Sequence, residues 1–301
     1  MSKTILKWAG GKKIIIQKIK ERLEKINNKE NVTFFDLFAG GGSVSFEFSS
    51  MFNKTILNDI NKELINVFTV LKTNPNELLA LLKEHENNHS KEYYYQIRAL
   101  DRNADYDNLS DLIKAARIIY LNKTCYNGLY RVNKNNQFNV PFGRYKNVKI
   151  YDENVFFEIH EKLKRIVIKN EDFNKIVNEC KAGDVVYFDP PYDKVNGNSF
   201  VDYNANGFNT KDQERLAKAF QKLTKNGVYA ILSNSITTRT EELYKDFINE
   251  NSKIKVRRSI SPNAKTINGV AEFLIDNIEQ VNKIVNQIKK NRPKQSFSSS
   301  K

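Results

Sequence analysis

Short apolar runs and amphipathic stretches take turns along this chain. Val32 to Asp36 is a run of β-branched and aromatic residues and predicts a strand. Leu37-Phe38-Ala39-Gly40-Gly41-Gly42-Ser43 follows, a turn-forming segment from which a helix sets out. Lys54 to Asn58 predicts a second buried strand, ending at Asp59. Strand, glycine turn, helix, strand and acid, in that order, open a nucleotide-binding α/β half.

The period then changes. Leu64, Ile65, Val67, Phe68 and Leu71 have helical spacing. Pro75 is placed to open a second helix through Leu78, Leu79, Leu81 and Leu82. A third spans Lys91 to Leu100. A fourth follows Ser110, which suits an N-cap, and carries Leu112, Ile113, Ala116, Ile119 and Tyr120 on one face. From Lys123 to Lys149 the chain is polar, aromatic and basic, and its Asn127-Gly128 pair signals a turn. Strand patterns return at Val185 to Phe188, which runs into Asp189-Pro190-Pro191-Tyr192, and at Val228 to Leu232, which ends at Ser233-Asn234-Ser235. Lys253 to Ile260 and Val270 to Ile275 predict two late strands, paired as a hairpin. The expected fold class is α/β. Residues 1–61 and 152–292 form a mostly parallel sheet domain, a helical insertion occupies 62–151, and 293–301 is a basic, disordered tail.

Composition narrows the partner. The chain has 301 residues, 40% of them hydrophobic, which is enough for a sizeable core. No stretch approaches the ~20 apolar residues that span a bilayer. The first residues carry no long apolar run with a cleavage site, so no signal peptide is expected. The two cysteines, Cys125 and Cys180, sit in no metal or redox spacing, as in a reduced, cytoplasmic protein. A net charge of +14 suits either a polyanionic partner or mere solubility. Its distribution favours the partner: Leu112 to Tyr151 holds no Asp or Glu, yet contains Lys114, Arg117, Lys123, Arg131, Lys134, Arg144, Lys146 and Lys149.

Candidate chemistry concentrates at three places. Asp189-Pro190-Pro191-Tyr192 ends a strand, where open α/β sheets bind ligands. The Asp189 carboxylate and the Pro190 carbonyl can accept both hydrogens of an amino group, drawing its nitrogen toward a tetrahedral, nucleophilic form. Tyr192 offers a face on which a base can stack. The competing use is a proline-stiffened strand exit, with Asp189 capping a backbone group. The second place is the glycine loop, which lacks the dinucleotide spacing and suits a cofactor without phosphates. Asp59 stands about 20 residues on, where an acid grips ribose hydroxyls. Asp36, Phe38, Gly40, Gly42 and Asp59 are therefore candidate cofactor residues; a tight turn beside a surface acid is the alternative. Third, the Lys123–Lys149 segment interleaves cations with Tyr126, Tyr130, Phe138, Phe142 and Tyr145. Such a segment can read base edges and wedge a stack, or it can be a solvated loop pinned by buried aromatics. His85-Glu86-Asn87-Asn88-His89 matches a zinc pattern, but its polar surroundings look like a frayed helix end, and no metal is assigned.

Together these segments resemble the Dam-type, D12-class (alpha-group) DNA adenine N6-methyltransferases, which modify GATC. The likeness covers nearly the whole chain. Its carriers are Lys7-Trp8-Ala9-Gly10-Gly11-Lys12, the glycine loop, Asp189-Pro190-Pro191-Tyr192, Val256 to Ser261, and above all Tyr126-Asn127-Gly128-Leu129-Tyr130-Arg131 with Phe138 to Lys146. Lys265 to Val270 departs from the family pattern, and the loop Asp193 to Phe208 is variable.

The resemblance implies a Rossmann-like S-adenosylmethionine-dependent methyltransferase sheet whose insertion reads duplex DNA through a hairpin. Trp8, Lys12, Asp59 and Asp189 would lie at the cofactor. Asp189, Pro190 and Tyr192 would be catalytic. Lys7 would contact the first guanine and Tyr126 would intercalate beside the target. Leu129 and Arg131 would read distal base pairs, and Pro141 would touch a thymine methyl. Asn127, Asn139, Arg144, Tyr145 and Lys146 complete the candidate DNA-binding set. A monomer in a bacterial or phage-infected cytoplasm is expected, with the adenine extruded and methylated by direct in-line transfer.

Overall fold

Five strands can run parallel here because each apolar run is followed by a crossover that returns the chain to the same end of the sheet. The computed structural model describes residues 4–8, 12–26, 31–145, 148–192, 208–256 and 270–291. The strands are β1 (Thr33–Asp36), β2 (Lys54–Asn58), β3 (Ile166–Lys169), β4 (Val185–Phe188), β5 (Tyr229–Ser235), β6 (Lys253–Val256) and β7 (Val270–Asp276). Their order in the sheet is β3-β2-β1-β4-β5-β7-β6. Neighbours from β3 through β5 pair in parallel, whereas β7 is antiparallel to both β5 and β6.

Alternation of side chains assigns the two faces. Phe35, Ile56, Val186, Phe188, Ala230 and Leu232 meet α8 (Phe173–Val177) and α9 (Thr210–Lys225) on one face. Phe34, Val185, Tyr187, Ile231 and Leu274 meet α1 (Lys12–Leu23), α2 (Ser43–Phe48) and the C-terminal helix Ile278–Asn291 on the other.

Between β2 and β3 the chain builds α3 (Lys62–Thr73), α4 (Pro75–Asn87), α5 (Lys91–Ala99), α6 (Asp111–Thr124) and α7 (Glu153–Lys164). Local signals set their starts. Asn61 accepts from the Glu63 and Leu64 N–H groups, Ser110 accepts from Ile113, and Pro75 stands in the first turn of α4. These helices share one apolar core with Leu57 of β2 and Ile166 of β3, so the insertion rests directly on the sheet.

Most of the expected elements are present. The late hairpin exists as the β6–β7 pair, with 257–260 outside the described residues. Two differences have physical causes. β5 does not stop before Ser233-Asn234-Ser235; pairing with β7 carries the strand through these polar residues, which are buried. Strand β3 was not anticipated, because at the edge of the sheet it buries Ile166 but leaves Val167 exposed. Among the described residues, no helix is long and apolar enough to cross a membrane.

Candidate functional site

Parallel strands deliver their loops to one edge, and the sheet order reverses between β1 and β4, which opens a crevice there. The Leu37 N–H donates to the Tyr187 carbonyl (3.1 Å), which sets the glycine loop beside the start of Asp189-Pro190-Pro191-Tyr192. Gly40 (φ 49°) and Gly42 (φ 77°) are left-handed, a conformation that side chains disfavour. The Gly40 N–H donates to the Asp59 carboxylate (2.8 Å), which also accepts from the Asn61 N–H (2.9 Å). Trp8 lies across the loop: a Cβ on Gly40 would run into its indole nitrogen, and one on Gly41 into its Cβ.

Asp36, another candidate cofactor residue, lies close by. It is 1% exposed beneath the loop, where its carboxylate accepts from the Ser45 N–H (3.1 Å) and hydroxyl (2.7 Å). This acid serves the first turn of α2 and so shapes the loop from below. Phe38 is half-buried among Phe173, Phe188 and Phe208. Lys12 opens α1, and its side chain lies outside the described residues.

Two contributors to this edge escaped sequence reasoning. Ile60, directly after Asp59, leaves 55% of its surface exposed, an apolar face beside that acid. The end of β3 brings Glu171, Asp172 and Phe173 to the same edge, with Asp172 capping α8 and paired to Arg215 (2.8 Å). The signal for the latter was present in the β-branched run Ile166-Val167-Ile168, followed by polar Asn170 and two acids.

In the motif Asp189-Pro190-Pro191-Tyr192, Asp189 is half-buried and Pro190 buried. The Tyr192 hydroxyl donates to Glu272 of β7 (3.0 Å), a carboxylate only 3% exposed. Burial, with the negative charges of Asp189 and Glu272, raises the Tyr192 phenol well above its usual range and keeps it a donor. Gln213 of α9 donates to the Pro191 carbonyl (3.2 Å) and accepts from Asn234 of β5 (3.0 Å). The motif is thus braced from two strands and a helix.

The basic segment forms a loose hairpin under which period-two burial is strict. Gly128, Tyr130, Val132, Phe138 and Val140 face the core, while Asn127, Arg131, Asn139 and Pro141 are exposed and Leu129 is partly so. Tyr126 is 49% exposed. Of the described residues expected to read DNA on these arms, Tyr126, Asn127, Arg131, Asn139 and Pro141 are exposed, whereas Leu129 packs partly against the core; Lys146 lies outside the described residues. The Arg131 Nε and Nη2 atoms donate to the Asn139 carbonyl (3.1 and 2.7 Å), which orients the guanidinium. Asn127 (φ 55°) and Gly128 (φ 62°) make the expected turn, but the hairpin reverses later, where the Asn133 N–H donates to the Gln137 carbonyl (2.9 Å). Asn122 ties this turn to the N-terminal segment, bonding both the N–H (2.7 Å) and carbonyl (2.8 Å) of Lys7 and the Gly128 carbonyl (3.2 Å). The Lys7 ammonium sits 4.6 Å from the Tyr145 ring centre, and Arg144 is exposed with φ 54°.

Not every cation or aromatic of the segment belongs to that surface. Arg117 is fully buried against Asp101 and Glu63, Lys149 pairs with Asp152 (3.5 Å), and Tyr130 and Phe138 are core. Of the two histidines of the zinc-like pattern, His85 lies in α4 and His89 in the turn between α4 and α5. His85 and His89 bond the hydroxyls of Tyr93 (2.8 Å) and Tyr120 (3.0 Å), and both are packed, not frayed. Among the described residues no cluster of three or more His, Cys, Asp and Glu could hold a metal.

A glycine cradle roofed by an indole, a carboxylate at the next strand end and the exposed Ile60 face together fit an adenosine-bearing cofactor without phosphates. The family profile described as D12 class N6 adenine-specific DNA methyltransferase matches residues 8–260. The Type II methyltransferase M1.LlaDCHI of Lactococcus lactis subsp. cremoris is 42% identical, over 90% of this chain and 94% of that protein. Type II methyltransferase M.MjaIII of Methanocaldococcus jannaschii is 39% identical over 91% and 99%. The DNA adenine methylase of Escherichia coli (strain K12) is 33% identical over 91% and 94%.

Proposed function

The chain belongs to the D12 class of N6 adenine-specific DNA methyltransferases, with S-adenosylmethionine as methyl donor, and from that premise we propose that it methylates adenine within GATC in duplex DNA. The observation that carries this reading is the exposed set Tyr126, Arg131, Asn139 and Pro141, with Leu129 partly exposed between them, on a hairpin whose alternate residues are core. Arg131 offers its remaining donors to a guanine edge, and Pro141 offers an apolar contact to a thymine methyl. Lys7, Asn127, Arg144, Tyr145 and Lys146 flank them and hold the phosphates and the first guanine. In this reading residues 62–151 are the recognition unit and residues 1–61 with 152–292 the transferase unit, acting as a monomer.

The target adenine leaves the stack to reach the crevice, with Tyr126 filling the gap beside it. Asp189 and the Pro190 carbonyl accept the two amino hydrogens and orient the nitrogen lone pair. Tyr192, fixed through its hydroxyl by Glu272, stacks on the base. Trp8, Phe38, Gly40, Gly42 and Asp59 bind the cofactor, whose sulfonium supplies the electrophilic methyl group; Lys12 joins them from the start of α1. Transfer is direct, so these residues act by positioning and electrostatics.

Methyl incorporation into a panel of duplexes tests the reading: GATC, each single-base variant of it, and GATC already methylated on both strands. Incorporation into unmodified GATC alone is expected. Equal incorporation into a variant would discard the GATC assignment while leaving the enzyme class intact.

A further inference from the structure

A chain of part-buried contacts, polar after its first ring–ring link, connects the glycine loop to the hairpin. Trp8, on the loop, packs against Tyr130 with ring centres 5.4 Å apart. The Tyr130 hydroxyl donates to Glu63 Oε2 (2.9 Å). Glu63 Oε1 accepts from the Tyr106 hydroxyl (2.9 Å) and lies 3.5 Å from Arg117 Nη1. Arg117 is 0% exposed. Its Nε and Nη2 donate to the Ile97 and Arg98 carbonyls (both 3.0 Å), and Nη2 also meets Asp101 (2.6 Å). Asp101 in turn accepts from the Phe138 N–H (2.7 Å), while Arg102, its ion-pair partner, donates to the Phe138 carbonyl (2.7 Å). The next residue is Asn139, whose carbonyl holds Arg131.

Stability alone does not account for such an arrangement. Buried ion pairs add little over well-packed apolar side chains, because desolvation offsets their attraction. Directional bonds provide geometry instead, and the hairpin needs it. Among the described residues its own ladder consists of two isolated bridges, Cys125↔Phe142 and Val132↔Phe138. Its height and register are set from beneath.

We propose that Glu63, Arg117 and Asp101 are positioning residues that couple occupancy of the Trp8-covered glycine loop to the seat of the DNA-reading hairpin. The inference rests on the hairpin being the reader. Coupling of this kind is reciprocal: whatever the cofactor side does to DNA affinity, DNA does to cofactor affinity.

The test uses the full chain and measures duplex Kd with and without S-adenosylhomocysteine, for the parent, Tyr130→Phe and Asp101→Asn. Tyr130→Phe keeps the ring and removes one hydroxyl, so it preserves the packing. In the parent, S-adenosylhomocysteine is expected to shift Kd for the preferred duplex about fivefold or more. Either substitution should cut that shift to less than about twofold, and the double variant should add little to the singles, as members of one network do. A parent with no shift would overturn the proposal. So would variants that lose melting temperature but keep the full shift, since that is all a purely structural network would do. Arg131→Ala is run beside them across the single-base variants. If it leaves their ranking unchanged, the hairpin reading has failed; if it flattens the ranking while Tyr130→Phe and Asp101→Asn keep the shift, the coupling alone has failed.

Discussion

The carboxyl edge of the sheet and the hairpin after α6 are built in different ways. At the edge, parallel ladders fix the backbone. Asp36 pairs with Tyr187 across β1 and β4, and Leu37 continues the pairing into the loop. Side chains there inherit positions the sheet has already set. The hairpin has two isolated bridges and borrows its rigidity from helices below, through Asp101, Arg102, Asn122 and a strict alternation of buried residues. In the proposed function the chemistry sits on the ladder and recognition on the exposed face of the hairpin.

The largest expected effect breaks the edge alone. Asp189→Ala removes one of two acceptors for the amino group and should cut turnover about 10²–10³-fold or more on every duplex, with DNA affinity largely kept. Single-turnover methylation and a binding titration check both halves. Next comes Gly40→Ala, which forces a side chain into a left-handed backbone beneath the Trp8 indole. It should raise the Kd for S-adenosylmethionine about tenfold or more, measurable by calorimetry without DNA. On the hairpin, Arg131→Ala should lower discrimination at one base pair by about 1–3 kcal/mol and leave the other positions ranked as before. Equal losses on all duplexes would mean that Arg131 serves a phosphate.

The smallest effect concerns the helices beneath the hairpin. Burial pushes the His85 imidazole down to about 4, from an ordinary 6.5. The unfolded chain therefore takes up this proton first, and stability falls as pH drops from 6.5 toward 4. Urea midpoints at pH 7 and pH 5 should differ more for the parent than for His85→Gln.

The same contrast governs what the sequence made legible. Runs such as Val185–Phe188 and Lys54–Asn58 announce strands, and the loops after them carry recognisable chemistry. Meaning that arises from distant contacts was not legible. Arg117 counted as one more cation in an acid-free stretch until Glu63, 54 residues away, and Asp101 appeared beside it. Nothing local announced the bonds of Asp36 to Ser45 beneath the loop. Glu272, behind Tyr192 from 80 residues away, carried no local signal at all.

The most direct test of the division between edge and hairpin is one matrix of measurements. Binding and single-turnover methylation are recorded for the parent, Asp189→Ala and Arg131→Ala on GATC and each single-base variant. The account predicts that Asp189→Ala keeps the parent's ranking of affinities while losing methylation throughout, and that Arg131→Ala flattens the ranking at one position. Two variants that weaken the same quantity by the same factor on every duplex would contradict it.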